Sequence, residues 1–226
     1  PLWQACGWAP MSPLKDIEFV LEKLRWMRTE KIWPTGLRYL WTDAFGVVLL
    51  ASLYQHTHRE VFIKEAEQVV AEVDRVLGRH RGIRIGEAPD RDGQYFHYLA
   101  MWIFALTVLA KFKPPYKDKA IRLVKDIHPA FVIPNVGIHW KMKEDLSGPY
   151  AGVGLGGLDP YHAFVVYSLL DRTALQDEIA EVNAIIHRMQ RERTQRIDQD
   201  LGLGMMLWMT SFIPEESWVQ VRLTRA

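Results

Sequence analysis

Two kinds of helical pattern alternate along this chain, and the alternation limits what it can fold into more than any other feature. Leu14, Ile17, Val20, Leu21 and Leu24 form one apolar stripe, opened by a Ser12-Pro13 cap and first-turn proline. Ile63, Ala66, Val69, Val70, Val73 and Leu77 form a second, which Gly78 closes as a left-handed C-cap. A third runs from about Lys117 to His128 and stops before Pro129; a fourth runs from about Leu175 to Gln190. Each is polar on its other face, as a helix at the edge of a core must be. Between them lie segments apolar nearly all round: Ala44 to Tyr54, Tyr95 to Phe112, Tyr161 to Leu170 and Leu201 to Phe212. Such segments belong in the interior. The order is outer, inner, outer, inner, four times over, and strand patterns are scarce.

The inner segments begin alike. Asp43, Asp92, Asp159 and Asp200 stand at their entrances, 49, 67 and 41 residues apart. An aspartate there accepts bonds from orphan backbone N–H groups and suits the positive end of the helix dipole. Four such entrances in phase mark an internal repeat of a helical hairpin. With 49% hydrophobic residues in 226, the chain has enough apolar material for one large domain, expected to span residues 1–226.

Charge narrows the partners. Lys and Arg number 28 against 27 Asp and Glu, so the expectation is no nucleic acid. The local cluster Arg188, Arg191, Arg193 and Arg196 is interrupted by Glu192 and reads as a solvated helix face. The longest uncharged run, Gln94 to Ala110, has 17 residues and falls short of the roughly 20 that cross a bilayer, so no membrane span is expected. Cys6 is the only cysteine, which excludes an intrachain disulfide and leaves the compartment open. No leader pattern opens the chain, a soluble protein is expected, and the start at Pro1 suggests a trimmed sequence.

Three stretches concentrate chemistry. Gly86 to Tyr98 holds Glu87, Asp92, Tyr95, His97 and Tyr98 ahead of a strongly apolar helix. Tyr95 and Tyr98, three apart, share a face. Asp92 is either a helix cap or an acid tuned by aromatic surface. Trp33 to Asp43 holds Tyr39, Trp41 and Asp43, which serve either as a stacking wall or as core. The third stretch, Gly137 to His162, brings His139, Trp140, Asp159, Tyr161 and His162 into a long irregular connection with a glycine-rich lid. Gly152, Gly154 and Gly157 formally match a dinucleotide-binding fingerprint, but no strand or βαβ unit surrounds them. His97, His139 and His162 match no metal-ligand spacing, so neither a metal nor a cofactor is expected.

Alternating outer and inner helices, with functional groups in the loops that enter the inner ring, resemble the α/α-toroid proteins called six-hairpin glycosidase-like. The resemblance runs from about Ser12 to Ile213 and rests on the four entrances and the Gly86 to Tyr98 loop. It implies an all-α toroid of amphipathic outer and apolar inner helices. It also implies one of several chemistries: glycoside hydrolysis, polysaccharide lysis, sugar epimerisation or terpene-alcohol dehydration-isomerisation. At the aspartate spacing, roughly 50 residues per hairpin, the 226 residues supply four or five hairpins and not six. An incomplete ring exposes apolar flanks, and a homo-oligomer is one expectation that follows.

The leading expectation is a hydrolase or lyase on a saccharide. Asp92 or Glu87 would donate the proton and Asp43 or Asp159 would be its partner. Tyr39, Trp41, Tyr95, Tyr98, Trp140 and Tyr161 would bind the sugar with His139 and His162. Its rivals are an isomerase, epimerase or dehydratase using His97 or His162, and a binding or assembly module whose aspartates are only caps.

Overall fold

The computed structural model describes residues 13–34, 36–192, 200–216 and 218–219. Ser12, Cys6, Asp198, Arg193 and Arg196 lie outside the described residues. Eight helices follow in order among those described: α1 (Pro13–Thr29), α2 (Leu40–Thr57), α3 (Glu60–Leu77), α4 (Phe96–Ala110), α5 (Pro115–Phe131), α6 (Asp159–Asp171), α7 (Gln176–Glu192) and α8 (Asp200–Thr210). Four two-residue strands join them: β1 (Gln94–Tyr95), β2 (Val132–Ile133), β3 (Gly137–Ile138) and β4 (Lys141–Met142).

From α2 to α7 the two helix classes sort as their patterns require, but α8, expected in the interior, buries only Met206, Met209 and Thr210. α2, α4 and α6 stand side by side, with α4 in the middle; α3 packs on α2, α5 on α4 and α7 on α6. The outer helices bury one stripe each, such as Phe62, Ile63, Ala66, Val69, Val70, Val73 and Leu77 of α3. α4 buries ten of its 15 residues. Each large side chain among them contributes about 1.5–3 kcal/mol by leaving water. Ala44, Ala51, Ala100, Ala105 and Ala163 are almost fully covered, and small residues at these crossings let the inner helices approach closely. α8 packs on α6 and sends Trp208 against Phe104 of α4, ring centroids 5.1 Å apart, and Phe45 of α2 at 6.0 Å. Leu201, Leu203 and Leu207 of α8 stay exposed. Among the described residues no helix is long and apolar enough to cross a membrane.

The helix entrances are built differently from the aspartate-cap expectation. The N-cap positions of α2, α4 and α6 are Tyr39, Tyr95 and Leu158, none with a side-chain cap bond. Asp43 is instead the fourth residue of α2, and Asp92 precedes α4 by four residues. Neighbouring loops take the orphan N–H groups: Leu40 N donates to Ile85 O at 2.9 Å, and Phe96 N to Trp140 O at 3.1 Å. Backbone carbonyls satisfy these donors as well as a carboxylate would. Antiparallel pairing of β1 with β4 and a Tyr39–Gly86 bridge hold those loops in place. The irregular connection before α6 is likewise tied down, by β2–β3 pairing and by bridges His139–Leu155 and Met142–Pro149.

Two smaller expectations also fail. Gly78 is extended (φ −57°, ψ 142°), and its N–H reaches the carbonyls of Val73 and Asp74; a left-handed cap is found at His58, φ 54°. α5 runs through Pro129 to Phe131, because burial of Phe131 holds the last turn despite the missing N–H.

Candidate functional site

The entrances of α2 and α4, together with Trp140 between β3 and β4, bring six aromatic residues together. The phenol oxygens of Tyr39 and Tyr98 lie 2.5 Å apart in a hydrogen bond, with ring centroids at 5.6 Å. Tyr98 also contacts Trp41 at 5.0 Å, Tyr95 at 5.3 Å and His97 at 4.5 Å. Trp41 meets His97 edge-on at 5.4 Å, and Trp140 closes the row against Tyr95 at 5.2 Å. Rings three residues apart on one helix meet in this way because they share its face. Trp41 also lines an apolar cavity of about 550 Å³ with Trp33, Phe45, Val48 and Leu49.

α6 adds the titratable groups. His162 lies in its first turn, 3% exposed, and neither ring nitrogen has a hydrogen-bond partner among the described residues. Burial, with a smaller contribution from the nearby His97 ring, holds its pKa down to about 3. His97 is held down to about 4, again by burial. Both imidazoles are therefore neutral at pH 7. Asp159, the first residue of α6, is fully covered, and burial pushes its carboxyl up to about 7. A carboxylic acid there can hold or release a proton at neutral pH. His139 lies on the adjoining loop, its Nδ1 buried without a partner among the described residues.

The remaining expected site residues go elsewhere. Asp43 is buried, turned toward Trp33 Nε1, which donates to Oδ1 at 3.0 Å, and toward Arg38 at 3.4 Å. Burial raises its pKa, while Arg38 and the indole bond oppose the rise. Glu87 is exposed, and its Oε2 accepts the backbone N–H of Arg38 at 2.9 Å. Asp92 receives Lys141 Nζ at 2.9 Å and the Tyr150 hydroxyl; these bonds lower its pKa, so it stays ionised. Tyr161 is fully buried against Trp218 at 5.0 Å.

Gln94 belongs to the same Gly86 to Tyr98 stretch and is a positioning residue, a role its place in the sequence does not reveal. Completely buried, it accepts Ile83 N at 2.9 Å and donates to Arg81 O at 2.9 Å and Glu144 O at 2.7 Å. One amide thus ties two loops, at Arg81–Ile83 and at Glu144, to the start of α4. The only signal in the sequence was an uncharged amide at the head of the long uncharged run Gln94 to Ala110. Among the described residues no group of three or more His, Cys, Asp or Glu side chains is arranged to hold a metal ion. The glycines from Gly152 to Gly157 lie in a loop before α6, without the βαβ unit a dinucleotide fingerprint needs.

Solved structures share the helical fold. Cellobiose 2-epimerase from Spirochaeta thermophila DSM 6192 superposes with a TM-score of 0.56 at 17% identity, over 71% of this chain and 44% of that one. Cellobiose 2-epimerase from Bacillus thermoamylovorans B4167 gives 0.56 at 13% identity, over 69% and 45%. A GH76 α-mannanase from Bacteroides thetaiotaomicron gives 0.52 at 14% identity, over 71% and 46%. The fold is that of the α/α toroids. This toroid chain spans less than half the length of each of those proteins. At such identities the likeness carries the toroid fold and not the reaction. No protein-family model matches the chain, and no curated protein matches it.

Proposed function

We propose that this toroid belongs to a carbohydrate-processing enzyme that moves a proton at a sugar carbon, as an epimerase or isomerase does, with His97 and His162 as the proton-transfer pair. The observation that carries this reading is His162: a buried imidazole with both nitrogens unpartnered among the described residues, beside a second neutral imidazole. Leaving such a group unbonded costs about 1–3 kcal/mol, which a ligand would offset. The two cellobiose 2-epimerases among the fold neighbours support the same class.

The chemistry follows from the groups present. In an open-chain aldose the C2 proton is acidified by the C1 carbonyl. One neutral imidazole removes it, and the electron pair passes to the carbonyl oxygen. The Tyr39–Tyr98 phenol pair is suited to donate a bond to that oxygen. For the return step the second imidazole must first take up a proton, from the Asp159 carboxyl or from solvent. It gives that proton to the opposite face of C2 and ends neutral while the first imidazole holds the proton removed, which forms the epimer with no net redox change. Trp41, Tyr95 and Trp140 offer flat surfaces for the sugar, and Asp159 is a store for the proton.

A hydrolase remains the second reading, favoured by the raised pKa of Asp159, which suits a general acid. It is the weaker one because each of the other carboxylates already has partners: Asp43 has Trp33 and Arg38, Asp92 has Lys141 and Tyr150, and Glu87 has the Arg38 N–H. Product analysis on cellobiose and mannobiose tests the choice. An epimerised disaccharide, with turnover lowered about 10²–10⁴-fold in His97→Gln and His162→Gln, is expected. Free monosaccharide from wild type, undiminished in both variants, overturns the proton-transfer reading.

A further inference from the structure

The loop that enters α4 presents a cation that nothing else in the site occupies. Arg91 is exposed, and its guanidinium lies 3.8 Å from the centroid of the Tyr39 ring. Among the described residues it forms no ion pair. Four other cations around it do: Arg38 with Asp43, Lys141 with Asp92, and Arg79 and Arg84 with Glu144.

The position of Arg91 is built into the backbone. Gly86 pairs with Tyr39 across the bridge, and its N–H donates to Arg91 O at 3.3 Å. A Cβ at Gly86 would stand 2.9 Å from Arg91 Cδ and 3.2 Å from Tyr39 Cδ2, so the bare glycine lets the arginine stem lie flat beside the ring. Stacked on Tyr39, the guanidinium keeps its edge N–H donors free, because a π face engages the plane and not the edge. Tyr39 in turn bonds Tyr98, which abuts His97. Arg91 and His97 therefore flank the same phenol pair.

We infer that Arg91 is a specificity-determining residue that receives an anionic substituent of the sugar, a ring carboxylate as in a hexuronate. A planar fork of N–H donors matches a carboxylate in two parallel bonds, which a lysine or a hydroxyl does not. The inference rests on the sugar reading above and adds its substrate class.

Binding of D-glucuronate, D-glucose 6-phosphate and D-glucose to the purified protein, by calorimetry at low salt, tests it. Wild type is expected to prefer glucuronate to glucose by about tenfold or more, the scale of a charge-assisted pair. Arg91→Gln should bring that ratio to about one. Arg91→Lys, which keeps the charge and loses the fork, should fall between. A stronger preference for the phosphate ester, also lost in Arg91→Gln, upholds the anion site and assigns it to a phosphate. Equal binding of charged and neutral sugars by wild type overturns the inference, as does a preference that survives Arg91→Gln. Epimerisation of neutral sugars alongside that result leaves the proposed function standing. No binding or turnover of any sugar removes both.

Discussion

The indole N–H of Trp33 donates to Oδ1 of Asp43 at 3.0 Å, with both residues buried. One turn further along α2, a Cβ at Gly46 would stand 2.0 Å from Trp33 Cζ2. The tryptophan thus lies flat on a helix face made of one acceptor and one bare glycine. Gly46→Ala pushes a methyl group into a rigid ring and is expected to destabilise the chain by about 1–3 kcal/mol, the usual cost of overpacking. Urea denaturation of the variant checks this, and an unchanged midpoint contradicts it.

Gln94 makes three hydrogen bonds to two loops with no exposed surface. Gln94→Ala leaves a buried N–H and two carbonyls unsatisfied and should cost about 2–4 kcal/mol. Gln94→Glu should be no better, since a carboxylate cannot donate to the two carbonyls. Thermal melts of both variants measure it. Near-wild-type stability of either would show that the loops hold without the clamp.

Asp159 and the two histidines give stability opposite pH slopes. The Asp159 pKa rises from 3.8 to about 7 on folding, so the folded chain holds the extra proton between those values and stability falls as pH rises through them. His97 and His162 drop from 6.5 to about 4 and about 3, so the unfolded chain takes up protons first and stability is lost as pH falls below 6.5. Asp159→Asn removes the first effect alone. It should be more stable than wild type by roughly 2–4 kcal/mol at pH 7 and equal to it at pH 4. Denaturant melts at both pH values test the sign, and a variant less stable at pH 7 contradicts it.

Asp92 joins Lys141 across the β1–β4 pair but is 40% exposed. Its removal should therefore cost no more than about 1 kcal/mol. Lys141 Nζ also lies over the Tyr95 and Tyr150 rings, at 5.2 Å and 4.6 Å, so release of the lysine loosens the aromatic wall. Asp92→Asn is expected to raise KM for sugar with kcat little changed. Loss of kcat with KM intact would place Asp92 in the chemistry.

Helix order was legible, and helix class from α2 to α7, because 3.6-residue periodicity reports burial directly: the stripe Ile63 to Leu77 and the unbroken apolar run of α4 both sit where their patterns put them. α8, also apolar, leaves Leu201, Leu203 and Leu207 exposed. The aromatic cluster was partly legible, since Tyr95 and Tyr98 share a face by spacing alone. The entrances were misread because capping is a local rule and the donors of α2 and α4 are satisfied by distant carbonyls of Ile85 and Trp140. The roles of Asp43 and Asp92 depend on Trp33 and Lys141, 10 and 49 residues away, which no local pattern reveals. Arg91 was invisible for the same reason, since its partner is a ring 52 positions earlier and a glycine without a side chain.

The most direct test of the central claim is solvent deuterium uptake at C2 of cellobiose incubated with the protein in D₂O, followed by proton NMR. Proton transfer through His97 and His162 predicts loss of the C2 proton signal together with appearance of the epimer, and neither change with His162→Gln. Full retention of the C2 proton while the disaccharide is cleaved would contradict it and return the site to a carboxylate-driven hydrolysis.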